Sequence, residues 1–330
     1  MSALAGGGAG GVTSVASAQG GSLTGAGSTL VAPLMTRWSN EYKATRGVQV
    51  TYGAVGSGAG IQQITSRTVD FGASDAPLSP EQAAACHGCV QIPWALSATG
   101  IAFHINGVSR LKLTPPLLVG IYQGAITNWN DRRIAAANKG VSLPNLPITP
   151  VFRSDGSGDT YAFTDYLSRT NSNWKRSIGF GTQVSFPKGV GGKGNDGMSA
   201  VIASTNGAVG YVSAAYIIAH HLAVAQLKNA AGHFEYPNYK NIKAAGATVK
   251  RVPRNNEMHI VNPPKKAKNA YPLSTFTYAI VPTSSPKAAL LKAFIGYAMT
   301  KGQKFGPALD FGPLPRIVRK AGQATLRRIH

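Results

Sequence analysis

Apolar and polar positions along the chain follow two periods. Val48-Gln49-Val50-Thr51-Tyr52 alternates, as a half-buried strand does. Val31, Leu34, Met35, Trp38 and Tyr42 fall on one helix face, with Pro33 tolerable only in the first turn. Ile61 and Ile64 repeat the helical spacing, as do Phe163, Tyr166 and Leu167. Apolar stretches at 100–105, 148–152 and 276–281 read as strands. Three times a Gly/Ser turn opens a helix. The turns are Thr24-Gly25-Ala26-Gly27-Ser28-Thr29, Gly56-Ser57-Gly58-Ala59-Gly60 and Arg153-Ser154-Asp155-Gly156-Ser157-Gly158-Asp159-Thr160. The succession of strand, turn and helix predicts an α/β protein.

Composition narrows this. The chain has 330 residues, 43% of them hydrophobic, with 39 Gly and 20 Pro, which is globular composition. Its length exceeds the usual single-core limit, so two domains are expected. No run of about 18 apolar residues occurs, so no spanning helix is expected and the chain should be soluble. Residues 1–20 carry no charge and include Ala16-Ser17-Ala18 before Gln19. They read as the end of a secretory signal or as a flexible spacer, outside the fold either way.

Charge is lopsided: 33 Lys and Arg against 12 Asp and Glu, a formal net charge of +21. From 205 to 330 there are 18 basic residues and 3 acidic ones. Such a surface suits anionic partners, but the cations lie in short dispersed clusters without a nucleic-acid motif, and no nucleic acid is expected. The two cysteines form one C-x-x-C, Cys86 to Cys89. Zinc would need two further ligands and a c-type haem would need His at Val90. A redox pair and a local disulfide remain, and in an exported chain the disulfide is favoured. No metal and no cofactor are expected.

The three turns carry the chemistry. A helix N-terminus leaves N–H groups unpaired and positive, glycine lets backbone approach a ligand, and Ser or Thr adds a hydroxyl. Three of them, one bearing Arg153, suggest a tetrahedral oxyanion held by converging donors. The scarce acids cluster nearby: Asp70 and Asp75 in VDFGASDAP, Asp155 and Asp159 around Gly156-Ser157-Gly158, and Asp196 in GGKGNDG. No phosphate-binding G-x-x-x-x-G-K-[ST] loop is present, because Gly192-Lys193 is followed by Gly194. G-x-G-x-x-G with a following acid and the hydrolase G-x-S-x-G are absent too. His220-His221 reads as a helix end.

Seven segments then resemble one family: TGAGSTLVAPLMTRW (24–38), GAVGSGAGIQQI (53–64), VDFGASDAPLS (69–79), IYQGAITNWND (121–131), RSDGSGDTYAFTDYLS (153–168), GGKGNDGMSA (191–200) and GAVGYV (207–212). They resemble the substrate-binding component of the high-affinity phosphate ABC transporter, the Pst-type periplasmic phosphate-binding proteins. The resemblance implies a type II periplasmic binding protein: two α/β lobes joined by crossing strands, with the ligand cleft between them. Lobe one would be 21–95 plus 272–330 and lobe two 96–271, with crossings inside 91–105 and 271–281. Thr29 and Leu30 would give backbone N–H groups, Thr29 also its hydroxyl, Ser57 would contribute from the second turn, and Asp75 would be an acceptor for a phosphate proton. From lobe two, Arg153 would bind phosphate oxygens, Ser157 and Gly158 would donate, and Asp155 would orient Arg153. Asp159 stands where enterobacterial members carry Thr; it is expected to face the ligand, the alternative being an ordinary cap turned toward the helix backbone. Segments 191–197 and 206–211 are expected to be structural turns and a strand.

Singly, Thr29, Ser57 and Ser157 read as ordinary helix caps, Asp75 as a turn residue and Arg153 as a surface charge. In family order they imply an exported, non-enzymatic, monomeric receptor on the periplasmic or extracellular face of the envelope. It would capture inorganic phosphate and pass it to a membrane permease. Sulfate is the rival ligand, but it brings no proton for Asp75. A phosphatase would need a nucleophile–base pair or a metal cluster, and neither is evident in the sequence.

Overall fold

The computed structural model describes residues 21–330; the leader or spacer expected at 1–20 lies outside the described residues. Strands β1 (Ser22–Gly27) and β2 (Gln49–Ala54) pair in parallel, and β3 (Phe71–Ser74) joins β1 in the same sense. β4 (Cys89–His104) has 16 residues and is buried along all but its ends. Burial on both faces explains why its sequence is apolar without alternation. Then follow β5 (Lys112–Leu113), β6 (Thr149–Arg153), β7 (Val190–Gly192), β8 (Ala208–Ser213), β9 (Ala223–Lys228), β10 (Phe234–Glu235) and β11 (Ser274–Pro282).

The main path across the sheet is β2-β1-β3-β11-β4-β8-β6-β7. β4 is the element common to both halves. Residues 89–98 pair antiparallel with β11, whereas residues 99–104 pair with β8 and 101–103 with β9. The change of partner falls between Ala98 and Thr99. Pro93 has no N–H for the ladder, and the register slips there: Thr277 faces Ala95, but Tyr278 faces Pro93. The extra residue, Trp94, donates its indole N–H to Thr277 Oγ1 at 2.6 Å.

The helix Ala32–Arg46 buries Leu34, Met35, Trp38 and Tyr42, the stripe predicted from spacing, and Gly47 ends it in a left-handed turn. Trp38 and Phe71 pack on the Trp94 ring at 5.3 and 5.8 Å. In the other half Phe163 stacks on Tyr211 at 4.6 Å. One apolar cluster runs through both halves along β4. The segment 255–258 packs against the first half: Asn256 donates to Gln91 O and to Thr325 Oγ1, both at 2.8 Å.

The first Gly/Ser turn is shorter than expected, because residues 24–27 belong to β1 and the turn begins at Ser28. Gly27, at φ +145°, lies so close to β3 that a β-carbon would strike the Ala73 carbonyl. Its glycine serves close strand packing. Cys86 and Cys89 form a disulfide, with Arg67 Nη1 at 3.4 and 3.3 Å from the two sulfurs. His220 caps the end of the helix Ala214–Ala219. Among the described residues no helix is long and apolar enough to cross a membrane, and no group of three metal-ligating side chains exists.

Candidate functional site

The ends of β1, β3 and β6 and the starts of three helices converge where β4 changes partner. On the first side, the Ser28 N–H is held by Ala73 O at 2.9 Å, which pins the turn to β3. Ser28 Oγ then lies 2.6 Å from both oxygens of Asp75. Ser57, the first residue of the helix Ser57–Thr65, donates to Asp75 Oδ2 at 3.4 Å and accepts from the Asp75 N–H at 3.3 Å. The N–H groups of Thr29 and Leu30 make no hydrogen bond among the described residues. Both residues are buried. An unpaired buried donor is costly, so these two mark a place for an acceptor.

The opposite side is built on Arg153 at the end of β6. Its Nε and Nη2 donate to the two oxygens of Asp155 at 2.7 and 2.5 Å, a bidentate pair. Nη1 donates to Asp159 Oδ2 at 3.1 Å, leaving the other guanidinium hydrogens uncommitted. Ser157 caps the helix Gly158–Thr170, its Oγ accepting from the N–H groups of Asp159 and Thr160 at 3.0 and 3.4 Å. Asp159 does not cap. Its carboxylate faces the junction and accepts from Thr99 Oγ1 at 2.6 Å and Asn195 Nδ2 at 2.8 Å.

The two sides touch. The Gly158 N–H donates to Ser57 Oγ at 3.1 Å, and the Gly58 N–H to Gly156 O at 2.9 Å. A β-carbon on Gly158 would collide with Asp75, so glycine is what lets the two sides meet here. Thr29 Oγ1 accepts from Asn195 Nδ2 at 2.8 Å.

Electrostatics follow from burial. Burial, then the charge of Asp159, push the Asp75 carboxyl up to about 7, against the Ser28 and Ser57 hydrogen bonds and the Arg153 charge. Asp159 is also raised, chiefly by burial, although Arg153, Thr99 and Asn195 pull it down. Burial opposes charge on Asp155, yet the hydrogen bonds and charge of Arg153 hold it below the ordinary range. Burial likewise opposes the Arg153 charge, and the carboxylates beside it keep its pKa raised. Two carboxyls with raised pKa beside unpaired N–H donors and a partly uncommitted guanidinium suit a small oxyanion that carries a proton.

The residues assigned to the ligand from the sequence, Thr29, Leu30, Ser57, Asp75, Arg153, Asp155, Ser157, Gly158 and Asp159, meet here, whereas Asp70, bonded to Thr24 and Lys287, and the exposed Asp196 do not join them. Four others were missed. Ser28 adjoins Thr29 and supports Asp75. Thr99 lies in β4 two residues after another hydroxyl, Ser97, and no sequence signal distinguishes it. Asn195 belongs to 191–197 and Tyr211 to 206–211, segments expected to be only structural. That expectation is corrected: Asn195 contacts Thr29 and Asp159, and Tyr211 OH accepts the Arg153 N–H at 2.9 Å. The Gly194 N–H also donates to Asp155 Oδ1 at 2.9 Å. A helix start contributes through whatever faces its first turn, and sequence spacing does not reveal what that is.

A split sheet with a polar, buried junction between its halves defines a two-lobed binding protein of the periplasmic type. The PBP superfamily domain matches residues 12–301. A phosphate-binding protein, PstS, of Xylella fastidiosa is 36% identical over 89% of this chain and 81% of its own length. PstS of Pasteurella multocida is 35% identical over 92% and 89%. A solved high-affinity periplasmic phosphate-binding protein with bound phosphate superposes with a TM-score of 0.73 at 22% identity, covering 93% of each chain. The chain belongs to the PBP superfamily and, within it, to the family of PstS phosphate-binding proteins.

Proposed function

We propose that this chain is an exported, monomeric phosphate receptor without catalytic activity, which captures inorganic phosphate in the junction and delivers it to the permease of an ABC transporter. In this reading residues 21–95 and 272–330 form lobe one and residues 96–271 lobe two, with 255–258 laid back over lobe one. Thr29 and Leu30 bind through N–H groups, Thr29 and Ser157 through hydroxyls and Arg153 through its free N–H donors, whereas Ser57 and Gly158, expected from the sequence to donate to the ligand, are paired with each other and with Asp75 and hold the two walls together. Asp155 orients Arg153, and Asp75 and Asp159 share the ligand's proton.

The observation that carries the proposal is Asp75. It is buried, held by Ser28 and Ser57, and raised to about 7. A buried carboxyl that faces an oxyanion is tolerated when one proton lies between them. Phosphate supplies that proton at neutral pH and sulfate does not. Lobe closure is a population shift toward the state in which both walls contact the ligand.

Calorimetry with phosphate and with sulfate at pH 6 and pH 8 tests this, beside a phosphate monoester turnover assay. Saturable phosphate binding, much weaker sulfate binding and no turnover are expected. Equal affinity for both anions overturns the Asp75 role, and turnover overturns the receptor reading.

A further inference from the structure

We infer that Asn195 is a positioning residue, a latch across the cleft that aims the Thr29 hydroxyl at the bound oxyanion; this rests on the phosphate reading above. Asn195 is fully buried at the start of the helix Gly194–Ser204. Its Oδ1 accepts from the Ser213 N–H at 2.8 Å, which fixes the amide orientation and leaves Nδ2 as a donor. The two Nδ2 hydrogens go to Thr29 Oγ1 and Asp159 Oδ2, both at 2.8 Å. The Asn195 N–H adds a second donor to Thr29 Oγ1 at 3.3 Å.

A hydroxyl has two lone pairs and one hydrogen. With both lone pairs of Thr29 occupied by Asn195, its hydrogen is left to donate elsewhere, beside the unpaired N–H groups of Thr29 and Leu30. The same amide joins the turn after β1 to Asp159 on the opposite wall, so its bonds to Thr29 exist only while the walls are together. Contacts confined to the closed state slow ligand escape more than they speed entry.

The test measures Kd and dissociation rate for inorganic phosphate on the full chain. Asn195→Asp keeps the acceptor for Ser213 but replaces the donor with an oxygen, so that the Thr29 hydroxyl turns to it. Binding at pH 7.5 is expected to weaken about 10- to 100-fold, mostly through faster release. The deficit relative to wild type should narrow near pH 5, as the introduced carboxyl and Asp159 share a proton in the field of Arg153, Asp155, Asp75, Tyr211 and Tyr216. A merely structural loss would leave the same deficit relative to wild type at both pH values. Because Asn195→Asp also brings a like charge beside Asp159, a cycle of Asn195→Ala with Thr29→Val supplies a second readout, and the two losses should be less than additive. Wild type without saturable phosphate binding overturns the phosphate reading and this proposal together. Wild-type binding with unchanged Kd and release rate in the Asn195 variants, or strict additivity in the cycle, overturns the latch alone.

Discussion

The two walls of the cleft present donors by different means. On the side of β1 and β3, the polar groups at the junction are N–H groups of a turn and hydroxyls, arranged around a single carboxyl, Asp75. On the side of β6, a guanidinium sits in a frame of Asp155, Asp159 and Asn195, every member hydrogen-bonded to another. The first wall is neutral when Asp75 is protonated and is shaped by backbone. The second wall is ionic and is shaped by side chains. Backbone donors cannot be lost to rotamer change, whereas a side-chain cation must be held in place, and Asp155 does that with two parallel bonds. Sensitivity to substitution should therefore be steepest on the second wall, and sensitivity to pH should centre on Asp75 and Asp159.

The largest effect expected is from Arg153→Met, which removes a buried, charge-assisted donor and leaves Asp155 and Asp159 without their cation. Phosphate affinity should fall by several kcal/mol, on the order of 2–5. Circular dichroism checks that the chain stays folded while calorimetry reads the loss; wild-type affinity in the variant would place Arg153 outside the site.

Asp75→Asn comes next. In the ligand-free chain a carboxyl at about 7 keeps a proton that the unfolded chain releases near its ordinary 3.8. Its contribution is neutral below the unfolded value and grows more destabilising as pH rises to about 7, by up to about 4 kcal/mol. Wild type should lose stability from pH 4.5 to 7.5, with Asp159 acting in the same direction, and Asp75→Asn should flatten that fall. The amide can also donate to an unprotonated oxygen, so discrimination against sulfate should drop by roughly tenfold. Denaturant melts across pH, with paired phosphate and sulfate titrations, measure both; an unchanged anion ratio removes Asp75 from selectivity.

Asp159→Thr sharpens the comparison further. Wild type should bind more tightly as pH falls through the range where Asp159 and Asp75 take up protons, until the phosphate loses its own charge. The Thr variant should show a flatter profile, and parallel profiles would mean that Asp159 takes no part in the ligand's protonation. Ser157→Ala is the mildest change. Loss of the cap should cost about 1 kcal/mol of stability, and phosphate affinity should drop as well, because the hydroxyl hydrogen that the cap leaves uncommitted is lost with it. A stability loss with unaltered affinity would make Ser157 a cap only.

Much of this molecule was legible beforehand because its signals are local. The stripe on Ala32–Arg46 and the buried runs inside β4 and β11 follow from side-chain periodicity. The three helix starts were visible as Gly/Ser turns because backbone donors need small neighbours. That resemblance across seven segments then placed Asp75 and Arg153 in one site. The disulfide within Cys86–Cys89 was favoured from spacing and compartment alone.

What the tertiary structure alone decided is which groups face one another. Residues 24–27 look like a turn, yet the packing of Gly27 against Ala73 makes them strand. Thr99 is indistinguishable in sequence from the neighbouring Ser97 until β4 changes partner beside it and sets its hydroxyl on Asp159. Asn195 reads as part of a glycine turn, and only the approach of the two walls brings it to Thr29, 166 residues away in sequence. Periodicity reports how a segment meets water, because that depends on its own side chains. Partners across a cleft depend on how two separately folded surfaces are set against each other, and no local pattern encodes that.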